Sequence, residues 1–248
     1  MGRVHLHVRL CAPQVARCRR TQAHDGGPDS GAGGARDKVQ APLMLPPNPL
    51  EDGARWRGAR VGLFGGSFDP PHAGHRHVAR AARAALALDA VWWLVSPQNP
   101  LKDRRASTLG ARMQQVRAAI SGQTRMVATD LEAYFGTRTT EGALRAILPR
   151  FPGAQFVWIG GMDTAASLHR WDRWQALLAL LPTFYLTRPP AGSLVRRAPF
   201  RCLGGQRHVF LPNGQPRPPL VPGTTYWALT TPMVEASSTA LRAGAGVL

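Results

Sequence analysis

From Arg60 onward, short apolar runs alternate with helix-length segments, and that alternation leaves few folds open to the chain. Residues 61–64, 91–95, 126–128, 156–159, 183–186 and 226–229 read as short buried strands. Between them, 75–88, 109–120, 140–148 and the stretch carrying Leu177, Leu178 and Leu181 read as helices. In the second of these, Met113, Val116 and Ile120 share one side at three- and four-residue spacing. Strands separated by helices imply βαβ crossovers. The expected class is therefore α/β, a parallel sheet with helices on both faces, and in such sheets ligands lie at the carboxyl ends of the strands.

The first 58 residues follow a different pattern. Asp25-Gly26-Gly27-Pro28-Asp29-Ser30-Gly31-Ala32-Gly33-Gly34 is turn-forming with nothing to bury, and Leu45-Pro46-Pro47-Asn48-Pro49 cannot be helical. We expect residues 1–58 to be a disordered basic leader, with Met44 an alternative translation start. Residues 59–248 would form the domain, interrupted by an irregular proline- and glycine-rich insertion near 188–222. No apolar run has the roughly twenty residues of a spanning helix. The first ten residues mix Arg and His with apolar side chains, unlike a secretory signal. We therefore expect a cytoplasmic protein with no membrane partner. Cys11, Cys18 and Cys202 show neither CxxC spacing nor an even count, which argues against a zinc site or a disulfide framework.

The formal charge is +17, and only Lys38 and Lys102 are lysines. Such a charge suits a polyanion, either nucleic acid or an anionic nucleotide, yet the arginines are scattered and no nucleic-acid reader motif accompanies them. Codon composition could produce the same skew. Nucleic acid is not the expected partner.

The first strand runs into Gly65-Gly66-Ser67-Phe68-Asp69-Pro70-Pro71-His72-Ala73-Gly74-His75. Glycines at a strand end let the backbone approach a ligand with no Cβ in the way. His72 and His75, three apart where a helix begins, can face one point, and the N–H groups and dipole of that helix favour an anion there. These features describe a site for nucleotide phosphates. A metal site built from His72, His75 and His77 would lack a carboxylate or thiol at suitable spacing.

This segment resembles the HxGH nucleotidyltransferase superfamily, whose fold is Rossmann-like, and most closely the bacterial nicotinate-mononucleotide adenylyltransferases. The resemblance covers about residues 60–244 and implies adenylyl transfer from ATP to nicotinate mononucleotide, giving deamido-NAD and pyrophosphate. It casts His72 and His75 as catalytic, and Gly65, Gly66, Ser67 and Phe68 as part of the ATP site. Lys102, in Asn99-Pro100-Leu101-Lys102, would be a surface lysine if read alone; the resemblance makes it a catalytic phosphate contact. Ser237-Ser238-Thr239 with Arg242 would otherwise be an ordinary helix cap and a surface arginine. The resemblance makes them a cradle for the β- and γ-phosphates, with Arg242 catalytic. Mg²⁺ is implied as the ion that arrives with ATP, and Asp69 is too ambiguous to assign as a ligand.

For the acceptor, the resemblance points to Asp163, in Gly160-Gly161-Met162-Asp163, to Trp171 and to Thr140. Read without it, Trp171 is a core residue; with it, the indole stacks on the pyridine ring. Two departures stand out: Thr139 replaces the usual tyrosine, and Gly142-Ala143 replaces an Asp-Thr pair. The rival readings are a pantetheine-phosphate adenylyltransferase or cytidylyltransferase with the same histidine site, and a non-catalytic nucleotide- or nucleic-acid-binding relative. The sequence leaves the oligomeric state open.

Overall fold

Seven strands form one sheet in which every neighbouring pair is parallel, in the order β3-β2-β1-β4-β5-β7-β6. This computed structural model describes residues 53–97, 107–187, 199–212 and 217–229. All of them belong to one compact unit, Met44–Leu248. The chain runs β1 (Arg60–Gly66), α1 (Ala73–Ala85), β2 (Ala90–Val95), α2 (Leu109–Ala119), β3 (Met126–Thr129), α3 (Leu131–Tyr134) and α4 (Thr140–Ile147). It continues through β4 (Gln155–Gly161), α5 (Met162–Ser167), α6 (Trp174–Leu180), β5 (Thr183–Thr187), β6 (Arg207–Leu211) and β7 (Thr224–Leu229). The alternating apolar runs and helical stretches thus lie where their periodicity put them.

Both faces of the sheet are covered, which is why its strands are apolar throughout rather than alternating. Successive side chains point to opposite faces. On one side Val61, Leu63, Trp92, Leu94 and Trp158 pack with α4, α5 and α6 through Leu144, Ala165, Leu177 and Leu178. On the other, Phe64, Val91, Trp93, Val95 and Ile159 pack with α1 and α2 through Ala79, Ala82, Met113 and Val116. From β1 the chain builds outward to β2 and β3, then returns to place β4 on the opposite side of β1. The carboxyl ends of β1 and β4 are therefore the topological switch point, the place where open α/β sheets take their ligands.

Outside the helices, two stretches differ from the sequence reading. The folded unit begins before residue 59: Gly53–Trp56 is a 3-10 turn, and the buried Trp56 meets Trp92 edge to face at 4.9 Å. The 188–222 stretch is not irregular throughout. It contains a 3-10 turn, Pro199–Cys202, and the edge strand β6, whose Phe210 stacks at 22° on Trp227 of β7. A strand of arginine, histidine and three apolar residues flanked by glycine and proline has no clean period of its own. Pairing with β7 is what makes it one. Among the described residues, no helix is long and apolar enough to cross a membrane.

Candidate active site

The switch point is lined by the glycine end of β1. A Cβ on Gly65 would come within 2.3 Å of the Trp158 ring from β4, and one on Gly66 within 3.0 Å of the Phe68 ring. Only glycine lets the two aromatic rings close down on this strand end. Phe68 itself is 2% exposed and left-handed, with φ 46°. That conformation costs a side-chain-bearing residue about 1–2 kcal/mol. In return its ring packs edge to face against Phe64 at 5.3 Å and His75 at 5.1 Å, and tilted against Trp93 at 5.0 Å.

α1 begins two residues earlier than its apolar period suggested, and the shift matters. His72 becomes the N-cap, in extended backbone, and His75 falls in the first turn. The two imidazoles lie face to face, with centroids 3.7 Å apart and planes inclined by 31°. The His72 backbone N–H donates to Nδ1 of His75 at 3.2 Å. An Nδ1 that accepts carries no proton, so the neutral His75 ring holds its hydrogen on Nε2. The helix thus offers an imidazole N–H donor beside its own positive end.

Arg112, on α2, is the residue that the periodicity of that helix conceals. Its side chain is fully buried, at 0% exposure. Nε donates to Ser107 O at 2.8 Å, Nη1 to Ser67 O at 2.9 Å and Ser96 O at 2.6 Å, and Nη2 to Pro97 O at 2.6 Å. One guanidinium therefore joins the loop after β1, the loop after β2 and the entrance to α2. Burial lowers its affinity for a proton, opposed by the nearby Asp69 carboxylate. Asp69 in turn accepts from Ser107, Oδ1 from Oγ at 2.7 Å and Oδ2 from the backbone N–H at 3.3 Å. Among the described residues, no group of three or more His, Cys, Asp or Glu side chains is arranged to hold a metal ion.

Of the residues expected at the acceptor side, Asp163 and Trp171 follow β4 and Thr140 precedes it. Asp163 is exposed in the first turn of α5, directly after the Gly160-Gly161 end of β4. Trp171 is half-buried and meets Trp158 edge to face at 5.9 Å. The same Trp158 ring lies over Gly65, so one indole joins the two sides of the switch point. Trp171 also packs against the core, so part of its surface serves the fold. Thr140 opens α4.

The two departures in that region prove to be partners. Thr139 is the N-cap of α4, its Oγ1 accepting the Gly142 N–H at 3.1 Å, and a Cβ at position 142 would approach that oxygen to 3.0 Å. A hydroxyl at 139 and a glycine at 142 suit each other. Glu141, between them, is buried and pairs with Arg145 and, at 4.0 Å, with Arg173. Lys102, Ser237, Ser238, Thr239 and Arg242 lie outside the described residues.

The pattern of the family described as Cytidylyltransferase-like matches residues 63–244. A protein of Cereibacter sphaeroides named "Probable nicotinate-nucleotide adenylyltransferase" is 46% identical over 184 residues, 74% of this chain and 96% of that protein. A protein of the same name from Ruegeria pomeroyi is 41% identical over 196 residues, 76% of this chain and 88% of its own length. Among solved structures, the Plasmodium falciparum nicotinic acid mononucleotide adenylyltransferase complexed with NaAD has a TM-score of 0.57 at 16% identity, over 75% of this chain and 83% of that one. At that identity the likeness is one of fold.

Proposed function

Because the chain belongs to the Cytidylyltransferase-like family, and within it to the nicotinate-nucleotide adenylyltransferases, we propose that it transfers the adenylyl group of ATP to nicotinate mononucleotide in NAD biosynthesis. The observation that carries this reading is the pair His72 and His75 at the N-terminus of α1, beside a glycine strand end at the switch point of the sheet. A phosphate oxygen of the mononucleotide attacks the α-phosphorus of ATP. The new P–O bond forms as the bond to the bridging oxygen breaks, and pyrophosphate leaves with that electron pair. No protein nucleophile is needed. The work is to bring two anions together and stabilise the charge on the crowded α-phosphoryl group.

His75 supplies the Nε2–H and the helix supplies its positive end, both fixed before substrate arrives. His72 lies beside it on the same approach. Gly65, Gly66, Ser67 and Phe68 shape the wall against which the triphosphate lies, and Lys102, Ser237, Ser238, Thr239 and Arg242 complete the cradle on the strength of their motifs. Mg²⁺ enters as part of the ATP substrate, coordinated by oxygens and water. Trp171, Asp163 and Thr140 receive the pyridine nucleotide. The setting is the cytoplasm, and the working unit is the domain that follows the leader.

The test is pyrophosphate release from MgATP, measured separately with nicotinate mononucleotide, nicotinamide mononucleotide and phosphopantetheine. Release with the first is expected. Release only with phosphopantetheine overturns the acceptor assignment. Silence with all three, together with tight oligonucleotide binding, favours a non-catalytic binding protein.

A further inference from the structure

The guanidinium of Arg112 donates to the carbonyl oxygens of Ser67, Ser96, Pro97 and Ser107, and the residue that follows the first of these, Phe68, touches His75. Phe68 is bracketed on both sides. Before it, the Ser67 carbonyl accepts from Arg112 Nη1 at 2.9 Å. After it, Asp69 accepts from Ser107, whose own carbonyl accepts from Arg112 Nε at 2.8 Å. The loop after β2 closes the frame: the Ser96 N–H donates to Gly66 O at 3.0 Å, while the Ser96 and Pro97 carbonyls accept from the same guanidinium. A left-handed conformation at a bulky residue persists only where its surroundings over-determine it. Here both neighbours of Phe68 are tied, directly or through Ser107, to one side chain. The ring so held meets the His75 imidazole edge to face at 5.1 Å.

We propose that Arg112 is a positioning residue for the histidine pair, acting through Ser67, Phe68 and Asp69 to set the orientation of the His75 ring. The chemistry explains why the residue is arginine. A planar fork with five N–H donors can serve four carbonyls in three directions at once, whereas an ammonium is a compact point charge with three. A lone charge taken so completely out of water is costly unless its geometry is used. The catalytic consequence rests on the adenylyl-transfer reading. The geometric consequence does not.

The experiment uses the full chain with Arg112→Lys, which keeps the charge and loses the fork, and Arg112→Ala, assayed where circular dichroism shows both folded. With Arg112→Lys, kcat for pyrophosphate release is expected to fall about 100-fold, the scale of a sub-ångström to ångström misplacement, with the KM for nicotinate mononucleotide within about threefold. Millimolar guanidinium is expected to restore part of the kcat of Arg112→Ala, which a loss of folded protein would not allow. In parallel, the ¹⁵N resonances of the His75 ring report its tautomer. The wild type is expected to show Nε2–H, and Arg112→Lys a mixture of tautomers. Unchanged His75 resonances in Arg112→Lys, or a kcat within threefold of wild type, overturn the proposal. If Arg112→Ala does not fold, Arg112→Lys decides. A wild-type protein without transferase activity would sink only the functional reading, and the resonances would still decide the role of Arg112.

Discussion

His75 divides its two ring nitrogens between structure and chemistry. Nδ1 accepts from the backbone of His72 and so helps close the first turn of α1, which commits Nε2 to carrying the proton. Replacing His75 with alanine is expected to lower kcat by about 10²- to 10³-fold, the usual loss for one preorganised donor to a developing charge. The melting temperature should fall by only a few degrees, because a part-buried hydrogen bond and the ring contact with Phe68 are removed while the strands and helices of the core are untouched; calorimetry and pyrophosphate release check the two halves of that statement. Glycines at this scale divide as sharply. Gly65→Ala would drive a methyl into the Trp158 ring, a 2.3 Å approach, and is expected to cost about 1–3 kcal/mol of stability. At Gly110, in the first turn of α2, an added methyl would meet nothing within 4 Å, and Gly110→Ala is expected to stabilise by about 0.5–1 kcal/mol. Urea unfolding of the two variants should give opposite signs.

Short elements carry the polar strain of the fold. α3 is a single turn, yet it buries Glu132, whose carboxyl is raised by desolvation to about 7. The folded state therefore keeps that proton where the unfolded chain, with its ordinary value of 4.5, has released it. From about pH 4.5 to 7 the native state binds more protons, so this group's contribution to stability falls as pH rises and levels off above 7. Glu132→Gln is expected to remove that slope and to stabilise the protein at pH 8 by up to about 3 kcal/mol, the energy of the full shift. Thermal melts of both proteins from pH 5 to 8 would show it; parallel curves would refute it. The turn after α3 is tied back by Thr137, whose N–H and Oγ1 donate to the Glu132 carbonyl at 3.0 and 3.1 Å, and so delivers Thr139 to cap α4. Thr139→Ala should cost about 1 kcal/mol, as N-cap losses do.

Over the whole molecule, the arginine-rich composition has an internal use besides any surface one. Arg60 and Arg112 are both buried and both hydrogen-bonded to carbonyls, Arg60 holding Leu86 O and Pro218 O at the amino end of β1 as Arg112 holds the loops at its carboxyl end. Lysine could do neither. The relative from Cereibacter sphaeroides is matched over 96% of its length by 184 residues of this chain, 74% of it. A chain beginning at Met44 is accordingly expected to keep the kcat and melting temperature of the full protein; a loss of either beyond twofold or a few degrees would give residues 1–43 a role.

What could be read from the residues in order was whatever depends on near neighbours. The strand and helix periods from 60 to 187 were legible because a buried strand or a packed helix face repeats within a few residues. The histidine site was legible because a strand end, a glycine turn and a helix start are contiguous in the chain. The register of β6, the closure of Trp158 over both Gly65 and Trp171, and the coupling of Thr139 to Gly142 were not, since each is decided by what a residue meets rather than by its own pattern. Arg112 is the clearest case. In sequence it is one arginine among many on a helix; folding places it 45 residues from Ser67 and in hydrogen-bond contact with it, a meeting that only the parallel crossing of β1 and β2 brings about. Local chemistry names the groups that can act, and the long-range path of the chain sets where they stand.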